Sequence, residues 1–450
     1  MYKPKFTIEE LAKITNGQLT GKIDTKLRLS LSTDTRTITP NDVYVYIAIC
    51  GKVFDGHNFV KDAFERGAKL VIIDKNHADI AQNISYPTLI VNDTTTAYLQ
   101  IASFYKNRQK TKIIAVTGSA GKTTTKEILH SIFSTKYKTQ KSIKNHNNEI
   151  GLCQTLLSIE PDTKYCIVEM GMRAAGEIDL LAKYAHPDIA LITNAGSAHI
   201  GILGSLENIA KAKCEIANYL TSDGILIASE NALVKQNLPK GDYKKIFYSL
   251  KDVKILSKTE TECKFEYDNY VYSMNENADY NILNALGAIK AAKLEGFAPE
   301  EIQKGLLTFK NIEFRNELTK LNNGAVVISD CYNANPDSTE ASLKHICEVY
   351  KDKKIIVVFG DMLELGEFEE FYHKKTGELI NKLNVNYFIS VGKLAKITAE
   401  EVNKIPKKTC TKIEEAADFL LNIMDDNTLI FLKASRGMCF EKILEMIREK

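Results

Sequence analysis

The sequence has almost no surplus charge of either sign: 59 basic residues stand against 57 acidic ones. A balanced chain carries no electrostatic footprint for a nucleic-acid backbone or an anionic membrane surface, so neither is expected as a partner. Cysteines in any framework arrangement are also lacking. The nine lie at 50, 153, 166, 214, 263, 331, 347, 410 and 439, with no CxxC and an odd total. That excludes a disulfide scaffold and a zinc-ligand pattern. Scattered thiols kept as small apolar residues suit a reducing cytosol, so a cytoplasmic protein is expected. The opening stretch MYKPKFTIEELAKITNG is too short of apolar residues for a signal peptide or a spanning helix. No internal repeat and no low-complexity tract occurs.

What is present is a chain of 450 residues, 44% of them hydrophobic. At roughly 100–200 residues per domain this is about three domains, each able to bury a core. The first segment opens with a helix, capped by Thr7 and Glu10 and stopped at Gly17. Short β-like runs follow, at 42–49 and 69–74, with a helical stretch between them. The second segment alternates strand and helix, with apolar runs at 112–118, 165–170, 189–194 and 224–229. Runs rich in Ile and Val, separated by helices, predict a parallel sheet. Residues 263–274 read as a hairpin turning at Asp268-Asn269, and a helix follows over 279–295. The third segment repeats the alternation at 325–330, 355–360, 387–392 and 428–435. Ligands of open α/β sheets sit beyond the carboxyl ends of strands. This directs attention to Asp330, Gly360, Gly392 and Lys433. The breaks between segments fall near residues 109 and 313.

The sharpest motif is TGSAGKTTTKE (117–127), between the strand KIIAV and the helical pattern EILHSIF. Gly118 and Gly121 let the backbone turn so that amides around Ser119 and Ala120 point at phosphate oxygens, and the helix N-terminus adds its positive end. Lys122 supplies a charge for the β- and γ-phosphates, and Thr123, followed by Thr124, places a hydroxyl where Mg²⁺ would sit. The loop departs from GxxxxGK[ST], since Val116 stands where the first glycine would be. Alone it fits a motor, a switch, a kinase or a ligase.

Two further residues fall where a metal site would need them. Glu169 ends the strand YCIVEM and can reach an Mg²⁺ held by Thr123, or be a solvated strand-end carboxylate. His199 follows another strand end and is either a ligand or a structural imidazole. The helix ENIAKAKCEI carries Lys211 and Lys213, which by default are solvated.

Together these residues resemble the Mur ligase family, which includes folylpolyglutamate synthase-like enzymes. The resemblance covers nearly the whole chain and looks closest to the branch that adds a dipeptide. It rests on STDTR (32–36), DGHNF (55–59), NHNNEIG (145–151), VEMG (168–171), DYNILNAL (279–286), DCYNANPDS (330–338), GDMLELGE (360–367) and LKASRGM (432–438). It implies an α/β fold of three domains: a small N-terminal UDP-substrate domain (1–108), a central P-loop parallel-sheet ATPase domain (109–312) and a C-terminal Rossmann-like domain (313–450). It implies a monomeric ATP-dependent amide ligase of peptidoglycan precursor synthesis. The substrates would be UDP-MurNAc-tripeptide and D-Ala-D-Ala, joined through an acyl-phosphate and a tetrahedral intermediate.

The resemblance also implies residue roles. Thr123 and Glu169 would hold one Mg²⁺ and His199 would help hold a second, with Lys122 on the phosphates. Lys213, in the A-K-x-E-I context, would carry a CO₂-derived carbamate and join the metal site, leaving Lys211 solvated. Asn281, Asn284, Arg315 and Asp330 would contact the nucleotide. Asn333, Asn335, Lys433, Ser435 and Arg436 would lie near ATP or the incoming dipeptide. Asn145, Asn147 and Asn148 would line the central substrate side, and Thr33, Asp34 and Arg36 the UDP end. The chain departs from the family pattern in three places: a PNDVYVYIAICG stretch (40–51) two residues longer, no proline near Cys153, and Phe314-Arg315 in place of Gly-Arg. Two rivals stay open at this point: another amide ligase of the superfamily, and a P-loop nucleotide-binding regulator without ligase activity.

Overall fold

Along the strand Lys112–Thr117, Ile113 and Ala115 enter one core while Ile114 and Val116 enter another. A strand with two buried faces needs a layer on each side, and the neighbouring strands follow the same rule. In this computed structural model, which describes residues 2–39, 42–51, 54–83, 86–310 and 314–448, they assemble into an all-parallel six-stranded sheet. Its order is Lys244–Tyr248, Ile225–Ser229, Ile189–Ile192, Lys112–Thr117, Tyr165–Glu169 and Thr139–Lys141. One face packs on the helices Lys122–Phe133 and Asp279–Leu294; the other meets the helix Glu149–Leu157.

A second six-stranded sheet forms from residues 5–91, with strands Arg28–Ser32, Tyr44–Ile47, Leu70–Asp74 and Thr88–Val91 parallel in its middle. The helix Thr94–Asn107 joins it to the central sheet. Val45 and Ile72 of this sheet belong to the same apolar cluster as Ile113 of the central sheet, through Leu99 and Ile101 of that helix. The third large sheet runs Glu317–Lys320, Val326–Asp330, Thr428–Lys433, Lys354–Gly360, Tyr387–Val391 and Lys407–Cys410, parallel except at its first edge. The expected junction at residues 312 and 313 lies outside the described residues.

The hairpin Cys263–Tyr267 and Tyr270–Met274 turns at Asp268 and Asn269, both left-handed (φ 52° and 59°). Such a turn matches the right-handed twist of its strands. The first helix, Ile8–Thr15, has the capping box expected at Thr7 and Glu10, but its stop differs. Asn16, rather than Gly17, takes the left-handed conformation (φ 50°), an option asparagine shares with glycine.

The third sheet also narrows where ligands can sit. Val326–Asp330 and Lys354–Gly360 flank Thr428–Lys433, and Asp330 and Lys433 open onto the large cleft of the molecule. Gly360 and Gly392 do not line that cleft. The space beyond them is taken by Asp361, whose carboxylate accepts the amides of Leu394 (2.9 Å) and Ala395 (2.7 Å). Not every strand end faces the crevice, because strand order decides which ones do.

Candidate functional site

The phosphate loop is held in shape by the protein's own hydrogen bonds. Thr117 ends its strand, Gly118 and Gly121 take positive φ (155° and 80°), and the helix Lys122–Phe133 begins. Asn194, just past the strand Ile189–Ile192, clamps the turn. Its Oδ1 accepts the amides of Ser119 and Ala120 at 2.9 Å each, and its Nδ2 donates to the Ala120 carbonyl at 3.0 Å. The Thr193 hydroxyl donates to the same carbonyl at 2.5 Å. The phosphate-directed donors are therefore the amides of the first helical turn, since the first helical bond runs from Thr125 N–H to Gly121 O.

Gly121 cannot carry a side chain here. A Cβ would lie 2.4 Å from Asn284 Oδ1, and the left-handed φ costs a non-glycine residue about 1–2 kcal/mol on its own. Gly121→Ala is expected to weaken nucleotide binding by about tenfold or more, read as ADP affinity by calorimetry. An unchanged affinity would mean that nucleotide does not need this loop geometry.

Lys122 is folded onto the loop, with Nζ donating to the Gly118 carbonyl at 2.6 Å. Burial pushes its pKa down, against the pull of Glu169, and Arg315 adds to the depression. Arg315 reaches across from the C-terminal unit. Its Nη2 donates to Thr123 Oγ1 at 3.2 Å while its guanidinium lies 4.3 Å from the Tyr332 ring. Phe314 beside it is left-handed (φ 62°), which explains why a glycine would be at ease there. Its ring takes the Arg436 guanidinium at 5.3 Å.

The residues expected around a metal line the same cleft, of about 1290 Å³, as the loop. Glu169 pairs in register beside Val116 of the loop strand. Its Oε1 accepts Asn147 Nδ2 at 3.0 Å, and its Oε2 is buried without a hydrogen bond. His199 is left-handed (φ 66°), and its Nδ1 lies 3.2 Å from Glu364 Oε2 without hydrogen-bond geometry. Burial, then Lys122, Lys213 and Arg173, pull its pKa down to about 4, so the imidazole is neutral and offers a lone pair. Lys213 is 1% exposed and makes no ion pair among the described residues. Burial and Lys122 hold its pKa well below the usual lysine range. Lys211 is exposed, so the structure separates the two lysines that the sequence presented together. An orphaned carboxylate oxygen, a hydroxyl and a neutral imidazole are a donor set that fits a hard divalent cation.

The asparagines expected on the nucleotide side form a buried chain: Asn284 Nδ2 donates to Asn281 Oδ1 (3.3 Å), and Asn281 Nδ2 to Glu276 Oε2 (2.8 Å). On the C-terminal wall, Asp330 Oδ2 accepts Lys433 Nζ at 2.6 Å and the Ser342 hydroxyl at 2.9 Å. Lys433 also donates to the Asn333 carbonyl. Several expected ligand contacts do structural work as well. Asn335 caps the helix Pro336–Val349, Asn148 caps Glu149–Leu157, and Ser435 Oγ accepts the Leu363 amide at 2.9 Å. Arg436 pairs with Glu441, and Asn145 is exposed on the rim.

Thr33, Asp34 and Arg36 do not line the cleft. Asp34 caps the turn Thr35–Thr37 and is forked by Arg36 at 2.7 Å, on the N-terminal sheet. That unit reaches the cleft through Cys50 and Gly51 instead. Their loop is tied down by the DGHNF block. Asp55 Oδ1 accepts His57 Nδ1–H at 2.7 Å, His57 Nε2 accepts the Asp74 amide at 3.2 Å, and His77 stacks on His57 at 3.8 Å.

Two contacts that the sequence did not suggest hold the cleft walls together. Asp337 Oδ2 accepts the Ser197 amide at 2.5 Å and also its hydroxyl. Gly201 meets Gly366 backbone to backbone: a Cβ on Gly201 would lie 2.4 Å from the Gly366 nitrogen. Asn194 was legible in principle, as a Thr-Asn pair directly after a buried strand on the ligand side.

Fold and cleft define a P-loop nucleotide-binding protein whose glycine loop and candidate metal ligands are walled by two further α/β units. The description "Mur ligase middle domain" matches residues 116–292, and "Mur ligase, glutamate ligase domain" matches residues 314–436. The chain belongs to the Mur ligase family. It is 36% identical over 456 residues to UDP-N-acetylmuramoyl-tripeptide–D-alanyl-D-alanine ligase of Bacillus subtilis, with 99% of each chain covered. It matches a crystal structure of MurF from Acinetobacter baumannii with a TM-score of 0.91, at 27% identity over 100% of both chains. The fold is shared with MurF ligase from Thermotoga maritima in complex with ADP, at a TM-score of 0.82 and 24% identity, over 93% of this chain and 97% of that one.

Proposed function

We propose that this protein joins D-Ala-D-Ala to UDP-MurNAc-tripeptide at the expense of ATP, in peptidoglycan precursor synthesis. The observation that carries the reading is convergence. Lys122, Thr123, Glu169, His199 and Lys213, spread over nearly a hundred positions, line one cleft with Asp330 and Lys433 of the C-terminal unit. The full-length likeness to ligases of that name supports the choice of substrates.

In this reading the tripeptide's terminal carboxylate attacks the γ-phosphorus, the bond to the β-phosphate oxygen breaks, and ADP leaves. The amine of D-Ala-D-Ala then adds to the acyl-phosphate carbonyl. The tetrahedral intermediate loses the amine proton and expels phosphate, leaving the amide. Lys122 and the amides of its helical turn hold the transferring phosphoryl group. Thr123, Glu169, His199 and a carbamylated Lys213 would hold two Mg²⁺ ions, which supply charge neutralisation on the phosphates. Arg315, Asn281, Asn284 and Asp330 face the nucleotide. Residues 1–108 take the UDP end, with Thr33, Asp34 and Arg36 beyond the rim at Cys50 and Gly51. Residues 109–312 take ATP, and residues 313–450 bring the dipeptide and exclude water from the acyl-phosphate.

A monomer suffices, since every group named comes from one chain. Nine unpaired cysteines and two nucleotide substrates fit a cytoplasmic enzyme, and no helix among the described residues is long and apolar enough to cross a membrane. The test is ADP release with UDP-MurNAc-tripeptide, with and without D-Ala-D-Ala, alongside the product's mass. Turnover should require both substrates. ADP release independent of either, or an equal rate with single amino acids, would overturn the assignment.

A further inference from the structure

Lys126 sits one turn beyond Lys122 on the phosphate-loop helix and is 0% exposed. A lysine on a helix normally keeps its ammonium in water, and burying it costs several kcal/mol unless the charge is matched. Its surroundings match it. Nζ donates to the Lys144 carbonyl at 2.7 Å and lies 3.4 Å from Glu127 Oε1 and 3.5 Å from Glu169 Oε2. Glu127 is itself paired on its other oxygen with Lys141. Glu169 is fixed from the far side by Asn147 Nδ2, and its amide donates to Ser142 Oγ at 3.1 Å.

The geometry separates two tasks. The real hydrogen bond of Lys126 goes to the backbone of residue 144, at the start of the segment that carries Asn145, Asn147 and Asn148. Its contact with Glu169 is charge alone, because Oε2 takes no hydrogen bond and keeps its lone pairs. A helix lysine that served only to fill space would not place its ammonium between two carboxylates, one of which, Glu169, lines the cleft of the phosphate loop.

We propose that Lys126 is a positioning residue for the metal carboxylate. It neutralises Glu169 while the phosphates are absent, so that a divalent cation settles there only together with nucleotide, and it ties the Asn145–Asn148 segment to the same point. The proposal rests on Glu169 being a metal ligand, as in the function proposed above.

The test uses Mn²⁺ as probe, with free Mn²⁺ read by electron paramagnetic resonance, on the full-length protein with and without ADP. Lys126→Met keeps the length and apolar stem but removes the charge. It should bind Mn²⁺ at least about tenfold more tightly than the unaltered protein without ADP, because an uncompensated carboxylate now faces the cation. Turnover should fall at the same time. Loss of local structure would weaken both, so movement in opposite directions is the signature. Mn²⁺ affinity that is unchanged or weaker in folded Lys126→Met overturns the proposal.

Should Lys126→Met fold poorly, the double variant Lys126→Met/Glu169→Gln decides. Removing the now unpaired carboxylate should raise the melting temperature back towards that of the unaltered protein, which a packing defect would not allow. No recovery overturns the charge role. Glu169→Gln alone checks the underlying reading: if it binds Mn²⁺–ADP as tightly as the unaltered protein, Glu169 is not a ligand, whatever Lys126 does.

Discussion

Lys122→Ala is expected to reduce turnover by about 10²–10³-fold, the scale of removing one preorganised charge from a transferring group. The protein should stay folded. Nζ is held on the Gly118 carbonyl at 2.6 Å, at the mouth of a helix whose first amides are unpaired, and the arginine that reaches the same loop is already engaged. Arg315 is committed to Thr123 Oγ1 and the Tyr332 ring. Burial depresses the Lys122 pKa, so its charged form works against folding when no phosphate is bound. The variant should therefore melt at or above the temperature of the unaltered protein without nucleotide, even as ADP release at saturating ATP collapses. Stability surrendered for function at a binding site is a common trade. Near-normal turnover in a well-folded variant would remove Lys122 from the phosphate site.

Lys213→Ala should lose about two orders of magnitude in turnover, and short-chain carboxylic acids added to the assay should restore part of it. The reasoning starts from solvation. Lys213 is buried without an ion pair among the described residues, and burial and Lys122 hold its pKa well below the usual lysine range. A neutral amine is the form that attacks CO₂, giving a carbamate and releasing a proton. The product carries carboxylate-like oxygens beside the neutral imidazole of His199, where an ammonium would repel a dication. A small acid in the space vacated by the side chain can supply the same oxygens. No rescue, together with an unmodified lysine in a crystal of the active protein, would leave Lys213 as a buried structural amine.

Both of these residues were legible in the sequence, for different reasons. Lys122 stands in a glycine pattern between a β-run and a helix, where few alternatives exist. Lys213 was singled out only by family resemblance, although the helix offered a second signal. Ile209 and Lys213 are four apart on one face of Leu206–Cys214 and both are buried, whereas Lys211 points away. The strands were readable because Ile and Val fill both of their faces. Their order was not, and so Gly360 and Gly392 looked equivalent to Asp330 and Lys433. The residues that went unremarked act across long sequence distances. Asn194 clamps a loop some 75 positions away, and Asp337 grips Ser197 from 140 positions away. The Thr-Asn pair after a buried strand marks the place of Asn194 but not the loop it clamps, and nothing local to Asp337 marks Ser197. Asn335 and Asn148 show the converse: each was expected at a ligand and each also caps a helix, which is what asparagine before a helix does anywhere.

The meeting of Gly201 with Gly366 has a mechanical consequence. Where two main chains touch directly, the gap between the walls is set by the van der Waals radii of backbone atoms and not by rotamers. At this point the two walls are in contact with no side chain between them. A methyl group at either point would act as a shim: it would push the two main chains apart, and with them the walls that carry the two halves of the cleft.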